Sequence, residues 1–223
     1  PSHGACAYCG KLLGGLAAPH LCAACAMPQP VVAAGAVEDH FVAMGMKRAF
    51  SQDRQVLEKR FYELSRELHP DRFTAASLPA ERIADAQRNS LDRMSLLNQA
   101  YRTLRTPDEL RAHLLALEGV TVPEGKKPAA GVIPMGLAEA WFELQDMLAE
   151  NPEAASHRVG SFDMDLKRAL EQVNKDLEAL EKSYDLNADR AELEEIARRI
   201  QSQSYLRSLG RDVARVRERL GRR

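Results

Sequence analysis

The sequence has no long apolar run. No stretch among its 223 residues approaches the roughly 18–20 apolar residues of a membrane span, so no membrane partner is expected. Net charge is nearly absent: 31 basic residues stand against 32 acidic ones, giving −1. That balance offers no electrostatic case for nucleic acid. Aromatics are scarce at 5%, and glycine and proline cluster locally, which favours long helices over a β-sandwich. No phosphate-binding G-x-x-x-x-G-K, no H-E-x-x-H and no G-x-S-x-G occurs, and no acid/base pair stands out on one helix face. The chain is therefore expected not to be an enzyme and to bind no nucleotide. Residues 1–10 lack a basic-then-apolar pattern, so a secretory signal is not expected. What remains is 45% hydrophobic and 28% charged, ordinary globular material long enough for more than one folded unit.

Cysteine is confined to the first 25 residues: Cys6, Cys9, Cys22 and Cys25, spaced C-x2-C-x12-C-x2-C. Each pair can chelate from a tight turn, and two such turns give four thiolates in a tetrahedron, which suits zinc. Gly10, Gly14, Gly15, Ala23 and Ala24 supply the small residues such turns need. A unit of about 30 residues buries too little core to fold alone, so metal would supply its stability. A redox C-x-x-C needs a βαβ setting that is missing, and two disulfides need an oxidising compartment that nothing else suggests. Iron satisfies the same four-thiolate geometry. Four thiolates complete a shell, so the site reads as structural, and His3 and His20 read as solvent-exposed loop residues.

Residues 28–36 form a Pro/Ala/Gly/Val stretch that reads as a linker. A short amphipathic piece, 39–44, is stopped by Gly45. Ser51 or Asp53 can cap the next helix, whose Leu57, Phe61, Leu64 and Leu68 share one face. It must end at His69, since Pro70 disfavours α geometry before it. A polar loop over 71–80 follows, then a helix from about 80 to 105 with Leu91, Met94, Leu97, Tyr101 and Leu104 inward. Thr106-Pro107 ends it, and a short helix covers 108–117. Seven glycines and prolines between 119 and 136 mark a boundary. Beyond it, a helix over 137–150 is followed by a heptad stripe of Leu166, Leu170, Val173, Leu177, Leu180 and Tyr184. After a turn at 185–187 comes a third stripe of Leu193, Ile196, Ile200, Leu206, Leu209, Val213, Val216 and Leu220. These predict an antiparallel three-helix bundle. The tail, 211–223, carries six arginines against Asp212 and Glu218, and reads as a solvated helix face.

The tripeptide His69-Pro70-Asp71 falls in the loop between two antiparallel helices. A short helix, a longer one, H-P-D, a loop of about ten residues and a long helix resembles the J domain, whose members accelerate ATP hydrolysis by heat shock protein 70. The stretches Phe61-Tyr62-Glu63-Leu64-Ser65-Arg66-Glu67-Leu68-His69-Pro70-Asp71-Arg72-Phe73 and Leu97-Asn98-Gln99-Ala100-Tyr101-Arg102-Thr103-Leu104-Arg105-Thr106-Pro107 resemble the HscB family, the J-domain co-chaperones of iron–sulfur cluster assembly.

The resemblance implies an all-α, L-shaped protein. Its parts are a four-Cys zinc module (1–30), a linker (31–37), a J domain (38–117), a Gly/Pro-rich linker (118–133) and a C-terminal three-helix bundle (134–223). It implies that His69, Pro70, Asp71 and Arg72 act on an HscA- or DnaK-type chaperone. It further implies that the bundle binds an IscU-type scaffold through Leu137, Phe142, Glu143, Asp146 and Tyr205. The family's leucine–methionine pair on the first bundle helix is not reproduced at Ala138 and Glu139. Pro70 stiffens the turn, Asp71 offers a carboxylate for a bidentate arginine contact, and His69 offers a ring donor or acceptor. Arg54, Lys59, Arg60, Arg66 and Arg72 can steer an acidic partner, though Asp53, Glu58, Glu63 and Glu67 offset the four bases of that helix. The expected compartment is a bacterial cytosol, with a mitochondrial matrix after processing as the alternative. Two other functions stay open: a general J protein with other clients, or a zinc module on helices acting on nucleic acid or RNA polymerase. The second predicts basic and aromatic residues around the cysteines, where only Lys11 and Tyr8 occur.

Overall fold

The computed structural model describes residues 4–13, 20–31, 38–123, 131–134 and 136–221. Among these every regular element is helical; the only extended pairings are two isolated antiparallel bridges, Ala5 with Leu12 and Leu21 with Pro28. The chain divides into two compact units, Pro1–Glu118 and Gly119–Arg223.

The first unit begins with the cysteine turns and continues into α1 (His40–Met44), α2 (Arg54–Glu67), a 3-10 turn (Pro70–Arg72), α3 (Ala80–Arg105) and α4 (Pro107–Leu117). Asp39 caps α1 by accepting the N–H groups of Phe41 and Val42, and Gly45 closes it at φ 62°, where glycine carries no Cβ penalty. Asp53 caps α2 by accepting from Gln55 and Val56. Pro107 opens α4, with Asp108 and Glu109 placed favourably against the helix dipole. The core joins Phe41, Met44, Leu57, Leu64, Leu68, Leu97, Ala100, Leu104, Leu114 and Leu115. Each large side chain buried there contributes about 1.5–3 kcal/mol of transfer free energy. Phe61 stacks on Tyr101 at 4.5 Å, so the two stretches that carry the family resemblance pack on each other.

The inward face of α3 differs from the sequence expectation. Leu91 is 60% exposed, while Ala86, Asn89, Ser90, Leu96 and Leu97 are buried. The reason is that α3 is covered on more than one side: α1 and α2 lie along it, and the cysteine turns cover Asn89. The linker reading also changes at its start. Pro28 and Gln29 are buried and bonded to α3; residues 32–37 lie outside the described residues.

The second unit is built of α5 (Leu137–Glu150), α6 (Pro152–Asn187) and α7 (Arg190–Gly221). Asn151 caps α6, Pro152 fills its first position, and Ala188 ends it in the left-handed region. Buried Leu166, Val173, Leu177, Leu193, Ile196, Leu206, Leu209 and Val213 follow the predicted stripes. Trp141 is core, tilted against Phe162 at 5.4 Å. In the basic tail Arg215 pairs with Asp212 and Arg217 with Asp163; residues 222 and 223 lie outside the described residues. Among the described residues no helix is long and apolar enough to cross a membrane.

Candidate metal centre and interaction surfaces

The two cysteine pairs fold into matching turns. In the first, Cys6 N–H donates to Lys11 O at 2.8 Å and Gly10 N–H to Cys6 O at 3.0 Å. In the second, Cys22 N–H donates to Met27 O at 3.0 Å and Ala26 N–H to Cys22 O at 2.8 Å. The fifth residue of each turn is left-handed: Gly10 at φ 71° and Ala26 at φ 53°. All four Sγ atoms lie within 4.8 Å of one another, with Cys6–Cys25 and Cys9–Cys22 both at 3.6 Å. Thiolates about 2.3 Å from a central zinc sit about 3.8 Å apart, so the quartet has the size of a zinc shell. None of the four cysteines is in a disulfide.

The donor set also fits a cation. Burial opposes ionisation of Cys6, but the N–H groups of Tyr8 and Cys9 and the neighbouring thiols bring it down to about 6. Burial and the thiols around it push Cys25 up to about 12. One thiolate forms readily and then makes the next costly, a conflict that a divalent cation at the centre removes. Gln29 supports the shell: its Nε2 donates to Cys6 Sγ at 3.4 Å and to Met27 O at 2.9 Å, and its Oε1 accepts Ala7 N–H at 3.0 Å. Cys6, Cys9, Cys22 and Cys25 are placed to hold a metal ion between them.

His20 does not sit in a solvent-exposed loop. It is 4% exposed, its Nε2 lies 2.7 Å from Ala43 O, and burial, with Arg93 and Arg60 near by, lowers its pKa to about 4. The ring pins the cysteine turns to α1. His3 lies outside the described residues.

His69 starts the 3-10 turn with extended backbone (φ −62°, ψ 132°) and Pro70 takes its first position. The His69 Nδ1 accepts Asp71 N–H at 3.3 Å and lies 3.5 Å from Asp71 Oδ2. These two uses of Nδ1 exclude each other: while it accepts from the backbone, the ring proton sits on Nε2. The Asp71 side chain is 89% exposed, a carboxylate open to an incoming guanidinium. Arg72 donates to Arg66 O at 3.4 Å, which turns its guanidinium back towards α2. On α2, Lys59 and Arg60 face Glu63, at 4.0 and 3.5 Å, and Arg60 also donates to Met44 O. Arg54 and Arg66 carry no ion pair among the described residues, and Tyr62 is exposed beside Arg66.

Both flanks of the H-P-D turn are anchored to α3. Ser90 Oγ donates to Leu68 O, and Gln87 Nε2 donates to Phe73 O at 3.1 Å. Sequence reasoning missed Ser90, Gln87, Asn89 and Arg93. The available signal was polar residues at helical spacing, Gln87 with Ser90 and Asn89 with Arg93, beside a stripe read from apolar residues alone.

In the bundle, Phe142 is 65% exposed, and Glu143 and Asp146 are exposed with it. Phe142 and Asp146 are neighbours at i, i+4, and Glu143 and Asp146 at i, i+3, so one face of α5 presents an aromatic ring among acids. Glu143 comes within 3.9 Å of Arg158. Leu137 is turned into the core and offers little surface. Tyr205 is half-buried on α7.

No protein-family model matches the chain. Its structure is similar to the crystal structure of human co-chaperone protein HscB, with a TM-score of 0.57 over 94% of this chain and 96% of that one, at 23% identity. This chain has the HscB fold. The chaperone HscB from Vibrio cholerae is a further match, at 23% identity and a TM-score of 0.46, over 82% of this chain and 99% of that one. The match to the human protein takes in nearly the whole chain.

Proposed function

We propose that this chain is a non-enzymatic co-chaperone that docks on a heat shock protein 70 of the HscA or DnaK type, stimulates its ATPase, and delivers to it an IscU-type iron–sulfur scaffold protein. The observation that carries the reading is the H-P-D turn: an exposed Asp71 carboxylate and His69 ring on a proline-stiffened turn, within an HscB fold. Asp71 is assigned a bidentate contact with an arginine of the chaperone. Pro70 keeps that carboxylate at a fixed exit angle, and His69 holds the Asp71 backbone. The turn biases the chaperone's conformational equilibrium and never touches ATP. Arg54, Lys59, Arg66 and Arg72 steer the encounter. The scaffold is assigned to Phe142, Glu143, Asp146 and Tyr205, an apolar centre with an acidic rim, Leu137 contributing at most its edge. The cysteine quartet is assigned structural zinc.

A J protein with other clients is the second reading, favoured by one feature. Where the family places an apolar pair, this chain has Ala138 and Glu139, the latter exposed. Steady-state ATP hydrolysis by an HscA-type chaperone, with this protein and with or without scaffold, separates the readings. Stimulation that needs His69 and rises with scaffold supports cluster assembly. Stimulation indifferent to scaffold supports other clients, and its absence with every heat shock protein 70 tried refutes both.

A further inference from the structure

The segment between the H-P-D motif and α3 has little internal structure. Past the 3-10 turn its internal bonds are a local set around Thr74 and Ser77. Its apolar anchors are Phe73 and Leu78, both buried. They belong to one cluster with Met27 and Ala86, against which Tyr8, Leu21, Cys25 and Ile83 pack. Half of those eight residues, Met27, Tyr8, Leu21 and Cys25, come from the cysteine turns. Phe73 follows Asp71 by two residues.

Met27 is fully buried, two positions beyond Cys25. Its carbonyl accepts both Cys22 N–H and the Gln29 side chain, so the second cysteine turn dictates where it stands. The same turns are tied to α3 by four further bonds. Asn89 donates to Tyr8 Oη and to Pro28 O, and Arg93 donates to Gln29 O and to Pro30 O at 2.8 Å each. Arg93 is largely buried by this contact. Helix α3 is thus the common bench: Ser90 and Gln87 hold the backbone of the H-P-D segment, and Asn89 and Arg93 hold the cysteine turns over Phe73.

We propose that the four-cysteine module is a positioning clamp for the H-P-D turn, in which the metal centre fixes Met27 against Phe73 and so sets how His69 and Asp71 are presented. The cysteine turns lack a core of their own, so the module keeps this shape only while its thiolates are held together. Losing the metal removes Met27, Tyr8 and Leu21 from the cluster and leaves Phe73 and Leu78 uncovered on that side. The turn then samples other conformations, and the fraction competent for the chaperone falls. Met27, Gln29, Asn89 and Arg93 are positioning residues; none touches the partner. The inference rests on the reading that the turn acts on a heat shock protein 70.

The test uses the full chain in four forms: zinc-loaded, chelator-stripped, and zinc-loaded Met27→Ala and Met27→Leu. Amide hydrogen exchange is read at 69–78, at α1–α4 and at α6–α7, and chaperone ATPase is titrated with each form. In Met27→Ala, with one zinc still bound, exchange at 69–78 is expected to quicken about tenfold while α6 and α7 stay unchanged. The half-saturating concentration in the ATPase titration rises severalfold with little change in maximal stimulation, as for a reduced competent fraction. Met27→Leu restores both, and stripping the metal reproduces the Met27→Ala pattern more strongly. Unchanged exchange at 69–78 in the stripped and Met27→Ala forms overturns the clamp. So does equal quickening throughout α1–α4, which makes the module a general stabiliser. If the zinc-loaded native chain stimulates no chaperone, the functional reading falls, while the exchange data still decide the clamp.

Discussion

Gly10 and Ala26 occupy the same place in two matching turns, which makes them a reciprocal experiment on the metal centre. Both are left-handed, at φ 71° and 53°. A Cβ on Gly10 meets nothing within 4 Å, so Gly10→Ala costs only the backbone penalty. That penalty is roughly 1–2 kcal/mol, offset by about 0.4–1 kcal/mol because alanine is less free than glycine in the unfolded chain. The net loss is about 1 kcal/mol. Ala26 is exposed and forfeits little burial, so Ala26→Gly recovers about the same amount. Where folding of the module and metal binding are one equilibrium, these energies appear in the zinc dissociation constant. Competition against a chromophoric chelator at fixed pH should show Gly10→Ala binding about fivefold more weakly and Ala26→Gly about fivefold more tightly, with the double variant near the native value. Equal affinities, or shifts of the same sign in both single variants, would refute the reasoning.

Three further outcomes follow from the structure. His113 Nε2 accepts the His40 N–H at 3.1 Å, and burial, with His40 stacked beside it, lowers its pKa from 6.5 to about 4; burial lowers His40 as well. The unfolded chain therefore binds more protons than the native one below pH 6.5, so stability is full above that value and is lost as pH falls towards 4. Urea unfolding followed from pH 7 to pH 4 should show a loss to which His113 contributes on the order of 2 kcal/mol; His113→Asn removes that share and leaves the one from His20, which is also lowered to about 4. Ser90→Ala leaves the buried Leu68 carbonyl short of a donor; it should cost about 1–2 kcal/mol in thermal or urea unfolding and raise exchange at the start of the H-P-D turn. Phe142→Ala removes an exposed ring, so unfolding should move by less than about 0.5 kcal/mol, while the proposed function predicts that calorimetric affinity for the scaffold falls at least about tenfold.

The helices were legible because their signals are local. Asp53, Pro107 and Asn151 act on their own neighbours, and the bundle stripes repeat at one period. The cysteine quartet was legible from spacing alone, since two chelating turns constrain each other. The burial of Gln29, His20, Asn89 and Arg93 was not legible. Each is polar, and each is covered because the cysteine turns settle on α1 and α3, a contact between segments 61 to 81 residues apart for α3 and 23 for α1. Leu91 was misplaced for the same reason: a single apolar stripe marks one covered face, while α3 has more than one. Trp141 and Phe142 are adjacent apolar residues of opposite fate, and only the bundle decides which of them turns inward.

The H-P-D turn is tested most directly by single-turnover hydrolysis. A heat shock protein 70 preloaded with ATP is mixed with the native chain or with Asp71→Asn, which keeps the shape of the turn and removes the carboxylate charge. The proposed function predicts faster hydrolysis with the native chain and, with Asp71→Asn, a rate no greater than that of the chaperone alone, at unchanged zinc content and helicity. Equal acceleration by both proteins would contradict it.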